Sequence, residues 1–299
     1  MSETSKNYAI ITDQVNQDLR TACAKIKEEG YTNIELHNVF GKSIEECSEE
    51  ETNEIKAIVE EYGLNVVNLA TTVFFLCPLY DHYRVSLFNP MFHAFKGNVE
   101  EHLEKLRNAC RIANALDCET IRIFPFRFPD NEEVTVVGTD KDMERIIENF
   151  KKAAVIAEEN NVTLVVENCP YSHCPKGEMT YKLIKAVNSA HMKLLWDPAN
   201  SYRAEAHRVP EVYKSLDLFQ EYELIKGEVR HLHVKNYAYD ETLEKPFAHT
   251  ALFDGDIDYP SLLKTMADTY PYYCSLEPEV DEEGTMKSMR ELKDFYNKL

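Results

Sequence analysis

His231, His233 and Lys235 recur at every second position, with Leu232 and Val234 between them. Side chains alternate along a strand, so two imidazoles and an amine share one face of this segment. Three further apolar runs end on a carboxylate: 162–167 on Glu167, 192–197 on Asp197 and 272–277 on Glu277. Carboxylates gathered with an imidazole suit a divalent cation of borderline hardness, such as manganese, cobalt, zinc or magnesium, better than a metal that prefers thiolates. Each acid taken alone is a polar residue leaving the core at a strand end. Three such ends and the imidazole-bearing segment, on four successive strands, imply one shared site.

Periodicity shows what scaffold such a site requires. An apolar run fits a strand covered on both faces, and an ionisable residue at its C-terminal end is where a parallel α/β barrel keeps its chemistry. Strands are expected at 8–12, 33–39, 64–72, 120–128, 162–167, 192–197, 229–236 and 272–277. Helices are expected at 19–29, 51–62, 99–116, 141–160, 179–188, 212–226, 259–269 and 285–299. After a polar tail over 1–7, this is one domain over 8–299 with eight βα units, and repeated right-handed crossovers close it into a (β/α)8 TIM barrel of the α/β class. An open doubly wound sheet would spread the four ends along a plane, and no glycine-rich phosphate loop follows any strand. Asn33, Glu35 and His37 fall on one face of the second strand, and Arg122, Phe124 and Phe126 on one face of the fourth. The long connection 73–98 carries Phe74, Phe75, Tyr80, Tyr83, Phe88, Phe92 and Phe95, and reads either as a lid over a ligand or as a packing interface.

The chain of 299 residues is 44% hydrophobic, enough for a large core, and its formal charge is −19. That charge argues against a nucleic-acid partner, because such binding rests on neutralising phosphates with Lys and Arg. No run approaches the roughly 18 apolar residues of a membrane span. Eight cysteines at 23, 47, 77, 110, 118, 169, 174 and 274 form no CxxC, and no apolar signal segment opens the chain, which points to reduced thiols in a cytoplasmic protein. Cys169 and Cys174 are close enough in sequence for a redox pair, although packing is the simpler reading.

Several motifs carry a resemblance over nearly the whole chain: Val165-Val166-Glu167-Asn168, Trp196-Asp197-Pro198-Ala199-Asn200, His231-Leu232-His233-Val234-Lys235-Asn236, Phe253-Asp254-Gly255-Asp256-Ile257-Asp258-Tyr259 and Leu276-Glu277-Pro278. In their order and spacing the chain resembles the sugar phosphate isomerase/epimerase superfamily with a xylose isomerase-like barrel, the AP endonuclease 2 family. That group includes ketose 3-epimerases, hydroxypyruvate isomerase, the inosose-converting enzymes and the endonuclease IV branch. The resemblance implies one divalent metal, manganese first and cobalt, magnesium or zinc as alternatives, held by Glu167, Asp197, His233 and Glu277. Asn200 stands where several relatives place a further His, which favours a single-metal site, and Asn236 replaces the commoner Asp.

The implied chemistry is proton abstraction next to a carbonyl through an enediolate, with Glu167 and Glu277 as acid/base groups and Lys235 stabilising oxyanion charge. Glu35, His37, Arg122, Asn200, His207 and His231 are candidate substrate binders. The expected activity is a sugar isomerase or epimerase acting on a keto sugar or polyol. A lyase acting on an oxidised sugar, either a dehydratase or a C-glycoside-cleaving enzyme with a glycoside substrate, is the alternative, and a non-catalytic metal-binding barrel a third. A homo-oligomer or a small partner subunit is compatible with any of these.

Overall fold

The computed structural model describes residues 7–87, 92–204 and 208–299. Eight strands, β1 (Tyr8–Ile11), β2 (Asn33–Leu36), β3 (Asn65–Leu69), β4 (Thr120–Ile123), β5 (Thr163–Glu167), β6 (Met192–Trp196), β7 (Val229–Val234) and β8 (Tyr273–Leu276), pair in parallel around a closed barrel in chain order. Around them run α1 (Leu19–Glu28), α2 (Glu49–Tyr62), α3 (Val99–Ala115), α4 (Asp140–Glu159), α5 (Gly177–Val187), α6 (Leu218–Ile225), α7 (Tyr259–Met266) and α8 (Glu282–Tyr296). The main apolar core lies between the strands and these helices, drawing on Ile34, Leu164, Leu194 and Leu232 of the strands and Ile55, Leu106, Phe150 and Leu183 of the helices. Inward positions are largely polar instead: Glu35, Asn68, Arg122, His231, His233 and Ser275 are all at most 1% exposed.

Helix starts are set by caps. Ser48, Asn98, Thr139 and Asp217 each accept from the N3 amide of α2, α3, α4 and α6 while the N3 side chain returns the bond, so each satisfies orphan donors of the first turn. The Asp217 cap explains one departure from expectation. The helix expected over 212–226 begins only at Leu218, and Glu211–Tyr213 forms a separate 3-10 turn after Pro210.

Four strands also stop short of their patterns by more than one residue: β3 ends at Leu69 and β7 at Val234, and β2 and β4 end early for visible backbone reasons. β2 stops at Leu36, because Asn38–Val39 folds back on Lys42–Ser43 through Phe40 and Gly41, both at positive φ (54° and 73°). β4 stops at Ile123, and Phe126 sits at φ 54°, which ends the alternation. Arg122 therefore points inward and Phe124 joins a small separate cluster with Phe75, Leu76, Val85 and Cys169. Phe126, by contrast, stacks 4.8 Å from Phe74 in the main core. The expectation that Arg122, Phe124 and Phe126 share a face fails for this reason.

The aromatic connection divides likewise. Phe74 is core, while Phe75 and Phe92 pack with Phe124 in the small cluster, and Phe88 lies outside the described residues. All eight cysteines are free and buried. Burial pushes the Cys169 thiol up to about 12, with Glu167 adding to the effect, so a reactive thiolate is disfavoured there. No helix among the described residues is long and apolar enough to cross a membrane.

Candidate metal centre

Four consecutive strand ends deliver the donors. Glu167 is the last residue of β5, and Asp197 follows β6 directly. The Asp197 carboxylate caps the short helix Pro198–Arg203, its Oδ1 accepting from the Asn200 amide at 2.9 Å. Asn168 clamps the same residue from both sides, accepting from the Asp197 amide at 2.8 Å and donating to its carbonyl at 2.9 Å. His233 stands on β7 opposite Ser275 of β8, and Glu277 is tied back by its amide to the Val234 carbonyl at 3.0 Å. One donor atom from each of Glu167, Asp197, His233 and Glu277 lies within 4.8 Å of all the others, and all four residues are buried.

Inside the barrel, Glu35 is fully buried and ties the imidazoles together. Its Oε1 meets His233 Nε2 at 2.9 Å and accepts from Asn68 at 2.7 Å, while its Oε2 meets His231 Nε2 at 2.8 Å. An ionised carboxylate only accepts, so the Nε2 atoms carry the hydrogens and His233 turns Nδ1 toward the mouth. Burial works against the charge on Glu35, yet the two histidines hold its carboxyl well below the usual range. Burial likewise lowers His231, with Glu35 opposing it only in part. For His233 burial is outweighed by Glu35, Glu167 and Glu277, which leave its value well above that of a free imidazole.

At the mouth the balance is different. His233 Nδ1 lies 3.8 Å from Glu167 and 3.7 Å from Glu277, and makes no hydrogen bond. Asp197 Oδ2 accepts none either, although the Lys235 ammonium is 3.2 Å away. Burial raises the Asp197 carboxyl to about 7, Lys235 opposing this and the Glu167 and Glu277 charges reinforcing it. Burial also opposes the charge on Glu277, but Lys235 and His233 keep its carboxyl well below the ordinary range.

A buried imidazole nitrogen and a buried carboxylate oxygen, both without hydrogen bonds, beside two more carboxylates make a donor set that fits a divalent ion. Three acids face the cavity, and such charges are buried only when paired or bound to a cation.

The other expected residues fall into two groups. Arg122 spends its donors on Ala70 O (2.9 Å), Thr71 O (3.1 Å) and Glu167 (3.1 Å), with Glu277 at 3.6 Å, and so bridges the two glutamates. Asn200 donates to Glu167 at 3.0 Å, and Lys235 donates to Glu277 at 2.7 Å. Glu35 and His231 lie inside the barrel behind the donors, where their polar atoms are taken up by one another, Asn68 and Ser275. His37 is set apart, its Nδ1 3.2 Å from Asp13 and its ring 4.6 Å from that of Phe92. His207 lies outside the described residues.

Sequence reasoning passed over Asn68 and Glu279. Glu279 accepts from Lys235 at 3.0 Å and stands two residues after Glu277, a same-side spacing that was available as a signal. Arg203, over the rings of Tyr171 and Tyr237, and His249, 3.5 Å from Glu279, form the adjoining rim. Asn236 proves structural: it donates to the Leu252 and Ile257 carbonyls at 2.8 and 2.9 Å and accepts from the Tyr237 and Ile257 amides. A Cβ at Gly255 would lie 2.4 Å from it, so only glycine fits that turn.

No curated protein matches the chain in sequence. Among solved structures it resembles the probable 3-DHS dehydratase AsbF of Bacillus anthracis (14% identity, 97% of this chain and 98% of that one, TM-score 0.68). It also resembles D-psicose 3-epimerase with D-tagatose from Clostridium cellulolyticum H10 (15%, 98% of each chain, TM-score 0.68). A third is the IOLI protein with a binding zinc atom (13%, 98% and 95%, TM-score 0.66). At such identities these likenesses carry the fold. The family model for the xylose isomerase-like TIM barrel matches residues 23–297. With nearly the whole chain matched and the closed eight-stranded parallel barrel observed directly, the protein belongs to the xylose isomerase-like TIM barrel family.

Proposed function

We propose that this protein is a metal-dependent isomerase or epimerase of a keto sugar or polyol. The supporting observation is the pairing of Glu167 and Glu277: they come from strands separated by two others, flank the same unpartnered His233 Nδ1, and are bridged by one Arg122 nitrogen at 3.1 and 3.6 Å. Glu167, Asp197, His233 and Glu277 would hold a divalent ion, with Mn2+ the first choice and Co2+, Mg2+ or Zn2+ as alternatives. Such an ion would polarise the substrate carbonyl and stabilise charge on the enediolate.

The chain's own groups do the rest. One glutamate removes the proton next to the carbonyl and the other returns it on the opposite face, which inverts the carbon. Arg122, closed over by Phe124 at 4.7 Å, fixes the approach of both carboxylates. The Lys235 ammonium faces the cavity as donor to the developing oxyanion. Asn200 orients Glu167, and the rim of Tyr171, Arg203, Tyr237 and His249 supplies donors for hydroxyl groups. With its −19 charge the protein acts on a small molecule and not on a nucleic acid, and a homo-oligomer or small partner subunit remains part of the proposal.

A second reading is favoured by one observation. The small apolar cluster of Phe75, Leu76, Val85 and Phe124, with Phe92 and Tyr171 against it, adjoins Arg122 and would cover the apolar body of a leaving group. The same abstraction followed by elimination would make the protein a lyase, either a dehydratase or an enzyme cleaving a glycoside of an oxidised sugar.

The test is solvent exchange. The Mn2+-treated protein, incubated with a panel of ketoses, inososes and glycosides of oxidised sugars in D2O, should incorporate deuterium next to the carbonyl and stop doing so after chelation. Release of a leaving group without exchange into recovered substrate would select the lyase, and neither result across the panel would overturn both.

A further inference from the structure

We propose that Lys235 is a resident cation of the metal centre, and that Glu279 is the carboxylate to which its ammonium is handed when a divalent ion enters. This rests on the metal reading above and extends it to how the site fills. The ammonium lies 2.7 Å from Glu277 Oε2, 3.2 Å from Asp197 Oδ2 and 3.0 Å from Glu279 Oε1. Two of those acids belong to the donor set and the third does not. Lys235 is only 5% exposed, so its charge cannot be neutralised by water in place. A divalent ion drawing on Asp197 and Glu277 would meet a like charge already on the same oxygens, and the two cations cannot both keep those contacts.

Glu279 is built to receive the displaced charge. It sits at φ 51°, a left-handed conformation that few non-glycine residues adopt. Its amide donates to Gln14 Oε1 at 2.9 Å, which pins that backbone. Its side chain is 43% exposed and already contacts the ammonium, so the transfer is a short swing about the lysine's own torsions, with no strand movement. Its other oxygen lies 3.5 Å from His249 Nε2 on the far side. The arrangement keeps the acids neutralised before loading, weakens metal binding by the competition it sets up, and leaves the ammonium beside the cavity after loading.

The experiment titrates Mn2+ alone into chelator-stripped full-length protein by calorimetry, for wild type, Lys235→Met, Glu279→Gln and the double variant, with thermal melting to confirm folding. Lys235→Met should bind Mn2+ about tenfold tighter or more, on the scale of close charge pairs. Disruption of structure would move affinity the other way. Glu279→Gln should weaken binding by about fivefold, because the ammonium then stays on Asp197 and Glu277. In the Lys235→Met background that weakening should vanish, since no charge is left to park.

Equal or weaker binding by Lys235→Met overturns the proposal. So does a Glu279→Gln effect of the same size in both backgrounds, which would be plain loss of a nearby negative charge. Should Lys235→Met fail to fold, Lys235→Gln takes its place in the same comparison, and unchanged affinity of Glu279→Gln by itself refutes the hand-over. Wild type that binds no Mn2+ refutes the metal reading itself, an outcome distinct from any of these.

Discussion

On the interior side of the His233 ring, one carboxylate meets two imidazoles and an amide within 2.9 Å, and Glu35 has both oxygens engaged. On the mouth side, three carboxylates face one ammonium and one guanidinium, and two buried polar atoms make no hydrogen bond. The same imidazole serves both regions, one nitrogen in each. The interior gives both Glu35 oxygens and both imidazole Nε2 atoms a partner, with Asn68 Oδ1 alone among these groups left without a hydrogen bond. The mouth leaves groups unsatisfied, which costs stability and creates affinity for a cation. A barrel that held only the first arrangement would be more stable and inert.

The largest way to break this contrast is to remove the mouth's acid/base groups. Glu167→Gln and Glu277→Gln should each retain the fold and some metal while turnover of a verified substrate falls about 100-fold or more. Steady-state rates with parallel metal analysis check this, and wild-type rates at normal metal content would remove both residues from proton transfer.

Breaking the interior side should act through the ring it orients. Glu35→Gln would leave His233 without a charged acceptor, and loss of such an outer carboxylate should weaken Mn2+ binding about 10- to 100-fold. Calorimetry with Mn2+ measures it.

The pH dependence sharpens the comparison. Asp197 and His233 both have folded values raised above their unfolded ones. Their contributions to metal-free stability are full below the unfolded values and are lost as pH rises, through about 7 for Asp197. Glu35 and Glu277, held low, contribute above the ordinary carboxylate range and lose that contribution as pH falls. Chelated protein should therefore melt highest in mild acid and lose on the order of a few kcal/mol toward pH 8, whereas Mn2+ should restore most of that loss. Melting curves between pH 5 and 9, with and without Mn2+, test the sign. Asp197→Asn should flatten the chelated curve.

The smallest expected effect lies outside both regions. Asn236→Asp removes two donors from buried carbonyls and should cost about 1–3 kcal/mol of stability, a Tm lower by a few degrees, with Mn2+ affinity unchanged.

Much of this was legible in the chain because it depends on period and position. Glu167, Asp197 and Glu277 end apolar runs, and two-residue spacing placed His231, His233 and Lys235 together. What stayed hidden depends on partners that only the closed barrel supplies. Glu35 looked like a substrate binder because its strand was known but not what stood opposite, namely two imidazoles nearly two hundred residues later. Arg122 was readable as inward, but its commitment to Ala70, Thr71 and both glutamates was not. The fourth strand misled because alternation carries no warning of the positive φ at Phe126.

The pairing of β6 with β7 shifts by one residue, since Leu194 faces Val229 but Leu195 faces His231, so Arg230 is left over. Because side chains alternate, that extra residue works as a phase adjuster: the segment after it keeps its own parity, whatever parity the chain enters with. A one-residue length change before Val229 can be absorbed there, and His231 and His233 stay on the inner face. The same change after His231 would turn His233 out toward the helices and bring an apolar neighbour in. The strand thus has a tolerant half and an intolerant half, and the metal centre draws only on the second.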